Sequence, residues 1–179
     1  MGLVDMVFKI SFAIIRFDIE VNDSRGPMKN VVVIFQATEQ KTESLALAFG
    51  LGAVQAGADI RLRHLDPSMA TTLAHAGYGT LRVEDLRWAD GVAVFLESDA
   101  PARLEELRSA LHGIREDTEE NSKVIFLFHP DQRADSFRLL ETIASQFGFQ
   151  RLRDADGTAT PEHMTEMGRK LAGSRTEMF

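Results

Sequence analysis

Cysteine is absent from the 179-residue chain. That excludes disulfides, zinc–thiolate centres and thiol nucleophiles. Positive charge is scarce: 20 Lys and Arg against 27 Asp and Glu leave a net charge of −7. Non-specific nucleic-acid binding needs the opposite balance, so no nucleic-acid partner is expected. Long apolar runs are missing too. The weakly polar stretch Leu45 to Ala58 is too short for a membrane span and is broken by Gly50, Gly52 and Gly57, so no membrane association is expected. A secretory leader is not expected either. Asp5 lies where positive charge is needed, and Lys9 and Arg16 interrupt the apolar stretch. Met6 stands where a myristoylation motif carries Ser or Thr. A cytoplasmic location is the expectation.

What is present is ordinary globular composition, 44% apolar and 26% charged, in a length that suits one domain. The segment Asn30 to Gly57 says most. Val31, Val32, Val33, Ile34 and Phe35 form a β-branched and aromatic run. A polar loop follows, then a helix-forming stretch, then a second strand pattern at Ile60 to Leu65. That order places a loop at a helix N-terminus, where anions bind in α/β proteins.

The pattern predicts strands at 30–36, 59–65, 91–97, 123–129 and 148–153, and helices at 41–57, 101–115, 133–147 and 160–172. A weaker helical patch is expected at 67–75 and a turn at 83–89. Strands alternating with helices imply a parallel sheet covered on both faces. Right-handed crossovers give a doubly wound, five-stranded parallel sheet of order 2-1-3-4-5. The second strand, with Arg61 and Arg63 alternating with Ile60 and Leu62, suits an edge.

Residues 1–27 read as an extension ahead of a domain spanning 28–179. Phe8, Ile10, Phe12 and Ile14 alternate with other residues; Ile15, Phe17, Ile19 and Val21 alternate in the opposite phase. An extra strand with a bulge, or a partner-binding arm, fits that pattern. An upstream start codon is the other reading, since Met28-Lys29-Asn30 resembles a natural chain start. Helix 41–57 carries two apolar stripes. Leu45, Phe49, Gly52 and Ala56 form one; Leu47, Leu51 and Val54 form the other. One packs on the sheet, and the second needs the N-terminal arm or a second subunit. A homodimer through helix 41–57 is one of these two expectations.

The carboxyl ends of the strands would gather Gln36 to Lys41, Glu97 to Asp99, and His129 to Asp131. Oxygen ligands there could take a divalent cation, and histidine is the side chain that trades protons near neutral pH. The plainer account is that Asp99 and Asp131 stabilise helix N-termini, so no metal and no catalytic residue is assigned. A phosphorelay receiver would need Asp, not Glu97, at the end of the third strand. His64 and Asp66 read as solvated turn residues, and Trp88 as a packing residue. His75 and Tyr78 fall in the long connection before the third strand, while His112 and His163 lack visible partners.

With the strands placed, the chain resembles the flavodoxin-like family. It is most similar there to the NAD(P)H:quinone oxidoreductases called tryptophan-repressor-binding proteins. The resemblance spans roughly Lys29 to Ala172 and rests on three passages: VVVIF with its loop and TESLALAFGLGAVQAGADIRLRHL, then EDLRWADGVAVF, then KVIFLF. It implies FMN as cofactor, with NAD(P)H and a quinone as partners. Its phosphate loop would be Ala37, Thr38, Glu39, Gln40, Lys41 and Thr42. Glu97, Ser98 and Asp99 on one side, and His129, Pro130 and Asp131 on the other, would flank the flavin ring.

The same residues depart from what those loops use. The family's phosphate loop reads Ser/Thr-x-Thr-Gly-x-Thr, of which only Thr42 keeps its type. Gln40 replaces the glycine that lets backbone approach an anion, and Glu39 sets a carboxylate beside a dianion. The loops after the third and fourth strands lack the family's glycines and ring-packing aromatic. Two functions are therefore open: an FMN-dependent quinone or flavin reductase, and a non-enzymatic relative that has lost the cofactor and acts as a binding or dimerisation module.

Overall fold

The computed structural model describes residues 30–36, 40–65, 78–97, 101–115, 123–154 and 159–173. The N-terminal extension, the helical patch at 67–75, His75, Asp66, and the loop residues Ala37, Thr38, Glu39, Ser98 and Asp99 lie outside them. Along the chain run β1 (Asn30–Gln36), α1 (Gln40–Gln55), β2 (Asp59–His64), β3 (Gly79–Thr80), α2 (Val83–Trp88) and β4 (Gly91–Leu96). There follow α3 (Pro101–Arg115), β5 (Val124–Phe128), α4 (Asp135–Gln146), β6 (Gln150–Leu152) and α5 (Pro161–Gly173).

The sheet has six strands in the order β3-β2-β1-β4-β5-β6. Every neighbouring pair is parallel. The five expected strands take the expected order, and the sixth is a two-residue β3 outside β2. That short strand relieves β2 of the edge position its alternating arginines suggested. Arg63 of β2 registers with Gly79. A two-residue edge strand offers little template for pairing with another chain.

β4, β5 and the Val31–Phe35 stretch of β1 are buried throughout, which explains their unbroken apolar sequences. Val31, Val33 and Phe35 point to a core shared with α1 and α5. Val32 and Ile34 point to the opposite core, shared with α2, α3 and α4. On the first face Phe49 stacks on Phe126 at 4.9 Å between ring centroids, and Phe95 meets Phe128 at 5.4 Å.

Residues 83–88 form a helix where the sequence reading expects a turn. The cause is Asp85, at the third helical position, whose Oδ2 accepts the Arg82 N–H at 3.1 Å. The same carboxylate takes Arg63 through Nε at 2.7 Å and Arg61 through NH1 at 3.1 Å. Arg61 in turn lies over the Trp88 ring, 4.1 Å from its centroid. The two arginines that mark β2 as an edge are thus folded over α2. Lys123 closes the other end of α2, donating to Leu86 O at 2.9 Å and also to Ala89 O.

Candidate site at the carboxyl ends of the strands

α1 begins at Gln40, directly after the loop that follows β1. Its N-terminal end therefore lies beside the junction where the chain order reverses, between β1 and β4. Lys41 is exposed, whereas Thr42 and Glu43 are buried in the first turn. Glu43 favours the positive end of the helix dipole there. Gln36 ends β1, and its side-chain Oε1 is buried with no hydrogen-bond partner. Half-buried Glu97 follows β4.

His129 follows β5 and is buried. Its Nδ1 accepts the backbone N–H of Asp131 at 3.0 Å. The ring proton is thereby placed on Nε2, which donates to Ser136 Oγ at 3.2 Å. Both ring nitrogens are engaged, so the imidazole ties the β5–α4 corner together. Asp131 is exposed, and its Oδ1 accepts the Arg133 N–H at 2.9 Å. That bond stabilises the turn ahead of α4, whose N-cap is Ala134, and not the helix N-terminus that the sequence reading assigned to Asp131. Pro130 is exposed between them.

His64 is not a solvated turn residue. It is 2% exposed at the end of β2, with its ring 4.5 Å from Phe35 and 5.6 Å from Tyr78. The register that pairs His64 with Phe35 puts both on the α1 face. Burial raises the Tyr78 hydroxyl above its usual value, and the Glu43 carboxylate raises it further. This corner, where α1 meets the end of β2, is missed by a reading that looks only at the loops after β1, β4 and β5. The signal was available in the alternation of β2, which puts residue 64 in phase with Ile60 and Leu62.

His163 has a partner as well: its Nε2 lies 2.8 Å from Asp154 Oδ1 at the start of α5. His112 meets the Phe147 ring at 5.0 Å. Among the described residues, no group of three or more His, Asp or Glu could hold a metal ion. Nor is any helix long and apolar enough to cross a membrane.

The described residues at the mouth fit FMN poorly. A flavin ring needs donors and an apolar platform. The Asp131 and Arg133 N–H groups are spent inside their own loop. Among the described residues the exposed large apolar side chains are Leu51, Val54 and Leu139, all on helices and none aromatic. The cationic side chains described in the loops after β1 and β5 are Lys41 and Arg133, beside Glu43 and Asp131.

Solved structures similar to this chain include flavodoxins. One, from the domain Archaea, is 13% identical over 80% of this chain and 96% of its own, with a TM-score of 0.58. The Streptococcus pneumonia TIGR4 flavodoxin is 12% identical over 80% and 97%, with a TM-score of 0.55. Two-electron-reduced Megasphaera elsdenii flavodoxin is 12% identical over 78% and 98%, with the same TM-score of 0.55. No protein-family model and no curated protein sequence matches the chain. The likeness establishes the fold: this is a flavodoxin-like α/β domain.

Proposed function

We propose that this chain is a flavodoxin-fold protein that has given up flavin and acts as a binding module, not as a redox enzyme. The β5–α4 corner carries this reading. Its main-chain donors and both nitrogens of His129 are bonded within the corner itself, through Asp131 N–H, Arg133 N–H and Ser136 Oγ. A flavin ring that took the Asp131 N–H would leave the buried His129 Nδ1 unpaired, at a cost of about 1–3 kcal/mol. The glycine-free sequence Ala37 to Thr42, with Glu39 inside it, supports the same reading at the phosphate end. Titration with FMN at low salt tests it. Binding weaker than about 1 mM, or about −4 kcal/mol, is expected.

A second reading, an FMN-dependent NAD(P)H:quinone or flavin reductase, is favoured by one observation. Gln36 Oε1 is a buried acceptor without a partner at the very end of β1. A ligand N–H or O–H seated in the crevice would satisfy it.

A further inference from the structure

We infer that the carboxyl end of β1 binds a small neutral molecule, which donates one N–H or O–H to Gln36 from an otherwise apolar body. The inference rests on the reading of this chain as a flavin-free binding module and names the class of ligand. Gln36 Oε1 is buried with no hydrogen-bond partner. Folding has stripped that oxygen of water and returned no donor, which is uncommon and costly. Gln36 as a whole is only half-buried, so a change of rotamer opens its amide to the mouth.

The strand registers define its surroundings. Gln36 alternates in phase with Val32 and Ile34, so it lies on the sheet face that carries α2, α3 and α4. It pairs with Leu96 of β4. On the other side Phe35 pairs with His64, which sets Leu65 next to Gln36; the Leu65 N–H donates to Phe35 O at 3.3 Å. Phe95 pairs with Phe128, which brings His129 beside Leu96. The row across the carboxyl ends therefore reads Leu65, Gln36, Leu96 and His129, at strand spacings of about 4.8 Å. Leu65 and Leu96 belong to the apolar core of this face. His129 spends both ring nitrogens inside its own corner. Gln36 is thus the open polar group of the row.

That setting fixes the chemistry. An amide oxygen only accepts, so it selects an N–H or O–H and refuses a phosphate or carboxylate. The leucines on either side offer no countercharge, so the donor is neutral. A flavin presents its ring N–H between two carbonyl groups, and those acceptors would fall towards Leu65 and Leu96 without donors. A lone water fares no better, since a buried water needs roughly two to four polar partners. A molecule with a single donor satisfies Gln36 and packs its remainder against the apolar row.

Indole serves as the donor-bearing probe, and benzofuran, of the same shape without the N–H, as its control. Each is titrated into the full-length chain and into Gln36→Leu, with binding read from backbone amide chemical shifts. Indole is expected to bind the unaltered chain about tenfold more tightly than benzofuran, as one net hydrogen bond provides. Gln36→Leu should erase that difference. Without probe, Gln36→Leu should raise the urea unfolding midpoint, because it removes the orphaned acceptor. Equal affinities for the two probes, or no saturable binding of indole, would overturn the inference. A lowered midpoint in Gln36→Leu would overturn it too, since the oxygen would then already have its donor. Saturable FMN binding that Gln36→Leu abolishes would overturn it in favour of the reductase. Gln36-dependent indole binding alongside FMN binding that the variant leaves intact would support the inference and contradict only the binding-module reading.

Discussion

Gly52 of α1 and Gly168 of α5 each press against the other helix's backbone. A Cβ on Gly52 would lie 1.9 Å from the Thr165 carbonyl oxygen, and one on Gly168 would lie 2.0 Å from the Phe49 carbonyl oxygen. Thr165 Oγ1 also donates to Ala48 O at 3.2 Å across the same crossing. In an exposed helix Gly→Ala gains about 1 kcal/mol. Here Gly52→Ala and Gly168→Ala are each expected to destabilise by about 1–3 kcal/mol, because the helices must separate. Urea unfolding midpoints measure this. The double variant should cost less than the sum, since one shift relieves both clashes.

Tyr78 is the one tyrosine in the sequence, so its ionisation can be followed by ultraviolet absorbance without interference from another phenol. Its midpoint should lie above the usual 10.0, owing to burial and then to Glu43. Glu43→Gln should move it back towards that value. A phenol whose folded pKa is raised contributes stability that is full below about pH 10 and is lost as pH rises through the folded pKa. Stability should therefore fall at alkaline pH, and less so in Glu43→Gln.

Asp85 is nearly fully buried and joins β2 to α2. Burial pushes its carboxyl up, but the Arg63 and Arg61 guanidiniums and the Arg82 N–H together hold it below the usual 3.8. Its contribution is thus present above about pH 4 and is lost as pH falls through the folded value. Asp85→Asn should destabilise by about 2–3 kcal/mol, below the full figure for a buried pair because the arginines are partly exposed. It should also flatten the acid limb of the stability profile. Trp88 fluorescence reports the change, since Arg61 rests on that ring.

Ser136→Ala removes the acceptor for the Nε2–H of buried His129. The expected cost is about 1–2 kcal/mol, measured by thermal unfolding. Weak FMN binding should be unaffected, because the pair serves the corner and not a ligand.

Much of the fold was legible in the residues. β1, β4 and β5 announced themselves as unbroken apolar runs, and such runs belong in the middle of a parallel sheet. α2 was illegible because its helix depends on Asp85 meeting two arginines from a distant strand, a tertiary effect that local pattern does not carry. His64 read as a turn residue because a polar side chain at a strand end usually faces water. Here the strand register turns it onto Phe35. Gly52 lowers helix propensity in α1, and only the crossing with α5 explains its presence. At the candidate site, the place of Thr42, Glu97 and His129 at the carboxyl ends followed from topology alone. The internal bonding of His129 did not, because it depends on the turn made by Pro130 and Asp131.

The most direct test of the central claim is the protein's affinity for FMN, read from quenching of flavin fluorescence and from the absorption of the freshly purified protein. The structure's self-satisfied β5–α4 corner predicts a colourless protein and a dissociation constant weaker than about 1 mM. A yellow preparation, or saturable binding at micromolar FMN, would contradict it.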